Sequence, residues 1–142
     1  SPAGAETIRW MSPVDAPVVD GFRPPAERWG RGNRGLEYGL SDEVEVSAVD
    51  AGVVRFAGPV AGQLFVTIDH GDGLLSTAAY VSSISVVRGQ RVRAGQVIAR
   101  AGPGFHLTAR LDGVYVDPTH FLDGVEVAVR LVDGPPLPSR VR

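Results

Sequence analysis

Apolar residues in this chain come in short, β-branched runs, each bounded by residues that turn the backbone. The runs span Val44 to Val49, Gly52 to Ala57, Leu64 to Asp69, Leu74 to Val81, Val97 to Ala101 and Phe105 to Leu111. Branched side chains fit a pleated, half-buried surface, so each run is predicted to be a strand. Val114 to Val116 follows the turn pair Asp112-Gly113 and is predicted to close a hairpin with the run before it. One more strand is predicted over Val125 to Leu131. With 18 glycines and 11 prolines in 142 residues, the chain is interrupted too often for long helices. Runs about 8–12 residues apart predict an all-β, antiparallel β-sandwich or barrel-like fold.

The two ends depart from this pattern. Residues 1 to 28 hold Pro2, Pro13, Pro17, Pro24 and Pro25 with little periodicity, which predicts an extended N-terminal arm packed over the core. Its first part, residues 1–9, is expected to be a flexible lead, and the main domain to cover residues 10–127. Residues 128–142 hold the end of the last strand and Gly134-Pro135-Pro136-Leu137-Pro138, a polyproline-like tail.

Composition narrows the function. Hydrophobic residues make up 44% and charged residues 21%, which suits one domain with a substantial core. A net charge of -2 gives no reason to expect nucleic acid as a partner. No stretch approaches the ~20 apolar residues of a membrane span. The start, Ser1-Pro2-Ala3-Gly4-Ala5, is small and polar, as expected of a trimmed N-terminus. Without cysteine there is no disulfide, thiolate metal site or thiol nucleophile. All 14 basic residues are arginine, so Schiff-base and Ser-Lys chemistry are excluded.

Several motifs then fall in a meaningful order. Pro13-Val14-Asp15-Ala16-Pro17 and Phe22-Arg23-Pro24-Pro25 precede Trp29-Gly30-Arg31-Gly32-Asn33-Arg34-Gly35-Leu36-Glu37. A Val-x-Ala-x-x-x-Gly-x-Val pattern starts at Val46, and Ile68-Asp69-His70-Gly71-Asp72-Gly73-Leu74 forms a glycine turn. Gly89 to Ile98 reads Gly-x-x-Val-x-x-Gly-x-x-Ile, and Val116-Asp117-Pro118 closes the series. In this order, from Trp10 to Leu122, the chain resembles the LytM/lysostaphin-type zinc endopeptidases, and in particular their actinobacterial members. The resemblance implies their duplicated hybrid motif. The Gly89 to Ile98 segment is also similar to the crossover of biotinyl and lipoyl carriers, but those need an attachment lysine and this chain has none.

Active members of that family hold zinc through a histidine, an aspartate four residues later and the second histidine of a His-x-His pair. An open fourth position carries the water that zinc acidifies. Carried onto this sequence, the first ligand position falls on Asn33, the second on Glu37 and the third on His106. An amide oxygen is a weak zinc ligand beside an imidazole. The catalytic histidine positions fall on Gly104 and Tyr80. Losing both proton-handling histidines costs factors of about 10²–10⁴ each even with metal bound. The resemblance therefore implies a degenerate member: a pseudo-peptidase with no cofactor.

Alternative readings stand beside each residue. His106 fits a half-buried strand position bonded to Glu37 or a carbonyl; His70 fits a structural role in its turn, and His120 the surface. Glu37 is open to three readings: a buried acid, a salt-bridge partner of Arg34 or Arg110, or a vestigial ligand. Trp10 and Trp29 read as packing residues of the arm. The resemblance implies a binding or regulatory module of the cell envelope, extracytoplasmic, whose partner is a peptidoglycan hydrolase or a division complex, with peptidoglycan itself a further candidate. A groove of Arg34, Glu37, Tyr80, His106 and Arg110 would hold an extended peptide, with Arg28, Arg31, Arg34 and Arg110 able to receive a carboxylate. The alternative is a remodelled zinc peptidase using Glu37, His106 and a third ligand such as His70.

Overall fold

The computed structural model describes residues 5–23 and 32–128. In chain order the elements are β1 (Ala5–Ile8), β2 (Val18–Asp20), β3 (Gly35–Tyr38), β4 (Val44–Ser47), β5 (Gly52–Val60), β6 (Gln63–Asp69) and β7 (Leu74–Val81). β8 (Ser83–Ile84), β9 (Arg91–Val92), β10 (Val97–Ala101), β11 (His106–Leu111) and β12 (Val114–Val116) follow, then α1 (Thr119–Asp123) and β13 (Val125–Ala128).

They form a large antiparallel sheet, ordered β2-β3-β11-β7-β6-β5-β9, with β12 beside β11. A second sheet runs β4-β10-β8, and β1 pairs with β13. The all-β, antiparallel reading therefore holds. Each long run identified from its branched residues is a strand, and the Asp112-Gly113 turn joins β11 to β12 in register Leu111↔Val114.

Strand alternation separates core from site. In β11, Leu107 and Ala109 are buried, while His106, Thr108 and Arg110 point to the opposite face. Leu107 lies across from Leu36 and Ala78, and Ala78 across from Val66, so one buried row crosses four strands. Val46, Ile98 and Ala99 of the second sheet meet that face in one continuous core. Phe105, fully buried, tilts against Tyr38 at 5.8 Å.

The N-terminal segment is extended and packs on the core, as expected, and it also joins the sheets. It is woven into two sheets: β1 pairs in register Ala5↔Ala128 to Ile8↔Val125, and β2 edges the large sheet beside β3. Ile8, Trp10 and Val14 belong to the core. The lead expected over residues 1–9 thus contains a strand, and the last strand is seen over Val125–Ala128. Residues 1–4, Trp29 and the proline-rich tail lie outside the described residues. Edge strands of three or four residues between prolines leave no period long enough to read. The short helix α1 was not expected either. Pro118 starts its turn, and Thr119 N donates to the Asp117 carboxylate at 2.9 Å.

Candidate functional site

The outward face of the large sheet forms the floor of a groove of about 860 Å³. Two rows of side chains cross it. Thr108 lies across from Thr77, and Thr77 from Thr67, with the Thr67 and Thr77 hydroxyls 2.8 Å apart. In the next row Glu37 lies across from His106, His106 from Ala79, and Ala79 from Phe65. Gly35 opposes Thr108, and a β-carbon there would come 2.8 Å from Thr108 Cγ2 and closer still to the Leu107 carbonyl oxygen. Only glycine lets β3 approach β11 this closely.

The positions of the family's zinc ligands gather at one end of this face. Asn33 is buried and its amide is fully occupied by backbone. Nδ2 donates to the carbonyls of Asp20 at 3.1 Å and Gly21 at 3.0 Å, and Oδ1 accepts from Gly35 N at 3.1 Å. His106 Nδ1 donates to the Gly104 carbonyl at 2.9 Å, which turns Nε2 toward Glu37 Oε1, 3.9 Å away. Glu37 lies beside His106 and, among the described residues, forms no ion pair with Arg34 or Arg110. Asp20, across from Glu37 on β2, is paired with Arg23, which holds its carboxyl below the usual range.

Zinc needs three protein donors here. Among the described residues, no three His, Cys, Asp or Glu side chains come together to hold a metal ion. His70 does not supply the third. It is fully buried, its Nδ1 donating to the Ala51 carbonyl at 2.7 Å and its Nε2 hydrogen-bonded to the Ser76 hydroxyl at 2.7 Å. Its ring tilts against Trp10 at 5.4 Å, and Trp10 stacks on Phe121 at 4.8 Å, so both residues pack in the core. His120 is exposed on α1. Among the described residues, the donors at this end of the groove are Glu37 and His106, two where zinc takes three.

The two catalytic-histidine positions have distinctive backbones. Gly104 lies at φ 96°, a conformation that side-chain-bearing residues resist. Tyr80 lies at φ 62° as the extra residue of a β-bulge, where the β6–β7 register shifts between Leu64↔Val81 and Phe65↔Ala79. A bulge re-aims a side chain. Here it brings the Tyr80 ring edge-on to His106 at 5.5 Å and against Phe65 at 5.4 Å.

Arg34 and Arg110 converge at the other side of the groove. Their guanidinium carbons lie 5.4 Å and 5.9 Å from the centre of the Tyr115 ring. Of the residues expected to line the groove, Arg34, Tyr80, His106 and Arg110 do so; Glu37 flanks it, touching His106. Arg28 and Arg31 lie outside the described residues. Sequence reasoning missed Tyr115, Phe65, Val60 and the threonine row. The Asp112-Gly113 hairpin and the alternation of β6 and β7 were signals that could have placed Tyr115, Phe65 and the threonines on this face.

An all-β sheet pair with a groove at these ligand positions is the architecture of LytM-type peptidases. The catalytic domain of the antimicrobial peptidase lysostaphin from Staphylococcus simulans shares the fold, with a TM-score of 0.66 at 20% identity over 76% of this chain and 92% of that one. Residues 31–118, more than half of the chain, match peptidase family M23, and the chain belongs to that family. It is 35% identical over 130 residues to the murein hydrolase activator EnvC of Escherichia coli (strain K12), covering 84% of this chain and 30% of EnvC. It is 32% identical over 127 residues to outer membrane antigenic lipoprotein B of Haemophilus influenzae, covering 83% of this chain and 30% of the lipoprotein. The chain thus spans about 30% of the length of these curated relatives.

Proposed function

We propose that this chain is a catalytically inactive M23 domain, a pseudo-peptidase, acting as an extracytoplasmic binding module that controls a peptidoglycan hydrolase partner. The observation that carries this reading is Asn33. Its amide is spent on three backbone hydrogen bonds that tie β2 to β3, so the first ligand position has become part of the scaffold. The absence of a histidine at Gly104 and Tyr80 removes the groups that would move protons in the family's reaction. The relative EnvC, described as a murein hydrolase activator, supports a regulatory role in the envelope.

The groove remains suited to an extended peptide. Its floor offers hydroxyls at the spacing of neighbouring strands, and its rim carries unlike chemistry on either side. Zinc content after incubation with excess Zn²⁺ and desalting tests the reading first. Less than about a tenth of an equivalent is expected, because two donors do not hold the ion. Near one equivalent, lost in His106→Ala and accompanied by cleavage of sacculi, would instead establish a zinc endopeptidase built on Glu37 and His106.

A further inference from the structure

The groove has opposite chemistry at its two sides, and that asymmetry specifies an occupant. On the β3–β12 side, Arg34 and Arg110 share the Tyr115 ring. Among the described residues neither has a carboxylate partner, whereas Arg23, Arg55 and Arg100 each pair with an acid. Two guanidiniums held on one ring repel each other, and a carboxylate between them relieves that repulsion while accepting paired hydrogen bonds. Among the described residues no acidic side chain reaches this pair. On the β6 side, Val60 and Tyr80 are 53% and 46% exposed, and with Phe65 they make an apolar surface. Thr108 and Thr77 cross the space between, with Thr77 bonded at its hydroxyl to the buried Thr67.

Resting on the reading of this domain as a binding module, we propose that the groove binds an extended acidic segment of a partner protein. A carboxylate lies between Arg34 and Arg110, and a large apolar side chain packs on Val60, Phe65 and Tyr80. The distance sets the motif. Arg110 on β11 lies across from Leu75, and Phe65 on β6 across from Ala79, so the two sides are two strand spacings across the sheet and four residues along it, or about 16 Å, apart. Four residues of extended chain, at roughly 3.3 Å each, cover about 13 Å of that span, and the carboxylate and apolar side chains reach the rest. The segment therefore reads Asp or Glu, three small polar residues, then a large apolar residue. The apolar side favours a segment that carries a large apolar side chain over one that does not.

The test is a titration of the ¹⁵N-labelled domain with acetyl-Asp-Ser-Thr-Ser-Leu-amide, followed by NMR. Saturable shifts centred on Arg34, Thr77, Thr108 and Phe65 are expected, weakening as salt is raised. Arg110→Gln and Val60→Ser, both at exposed or half-exposed positions that leave the core intact, are each expected to weaken binding at least fivefold. Replacing Asp by Asn, or Leu by Ser, in the peptide is expected to do the same. Shifts centred elsewhere, no shift at millimolar peptide, or indifference to both substitutions overturns the proposal. So does stronger binding of purified muropeptides at the same residues. A domain that stays metal-free and inactive yet ignores the peptide overturns this inference alone; zinc loading with sacculus cleavage overturns the reading beneath it.

Discussion

Asn33 makes three hydrogen bonds from a buried side chain, and its replacement shows what one amide holds together. Asn33→Ala leaves two carbonyls and one amide N–H without their partner, at a cost of about 2–3 kcal/mol in urea denaturation. Asn33→His is expected to be equally destabilised and to gain no zinc, because an imidazole cannot reproduce two donors and an acceptor in that place. Tyr38 gives a pH signature. Burial pushes its hydroxyl up to about 12 from 10.0. The folded state holds that proton more tightly than the unfolded chain, so the stabilisation is complete below pH 10 and is lost as pH rises toward 12. Thermal unfolding across that window is expected to show a falling midpoint that Tyr38→Phe flattens. At this scale the sequence was informative about identity and silent about partners. That His106 keeps an imidazole was legible; that Nδ1 is tied to Gly104 was not, because the bond depends on a turn conformation.

Among the elements, β11 and β7 do most to shape the groove, and both were legible as alternating or β-branched runs. Their alternation sends Leu107 and Ala78 inward and His106, Thr108 and Thr77 outward. What alternation could not reveal is the bulge at Tyr80, which breaks the period within a strand. The two-residue strands β8 and β9 were equally invisible, since two residues carry no period. β1 and β2 were hidden among prolines. Backbone conformation also limits repair of the catalytic positions. Restoring histidine at Asn33, Tyr80 and Gly104 together is expected to yield no sacculus hydrolysis, since Gly104 sits at φ 96° and a histidine there strains the turn that orients His106. Gly35→Ala is expected to destabilise the domain by more than about 1 kcal/mol in the same denaturation assay, as overpacking does. The added methyl collides with Leu107 and Thr108 and pries β3 from β11.

Over the whole molecule, three sheets share one core, and the smallest is built from opposite ends of the described chain. Ile8 is buried, and Trp10 N donates to the Phe121 carbonyl at 2.8 Å. Removing residues 1–9 is expected to cost at least about 1.5–3 kcal/mol, the worth of one buried isoleucine, before the loss of strand pairing is added. A lower urea midpoint with slope unchanged would show this as a loss of stability and not of cooperativity. The β1–β13 register, Ala5↔Ala128 through Ile8↔Val125, puts Ala5 and Ala128 side by side at one end of that strand pair. Tension applied through residues 5 and 128 would therefore peel the pair open one hydrogen bond at a time, beginning at Ala5 and Ala128. Unzipping of this kind yields at low force. The groove strands lie behind it, so they are loaded only after the terminal pair has parted.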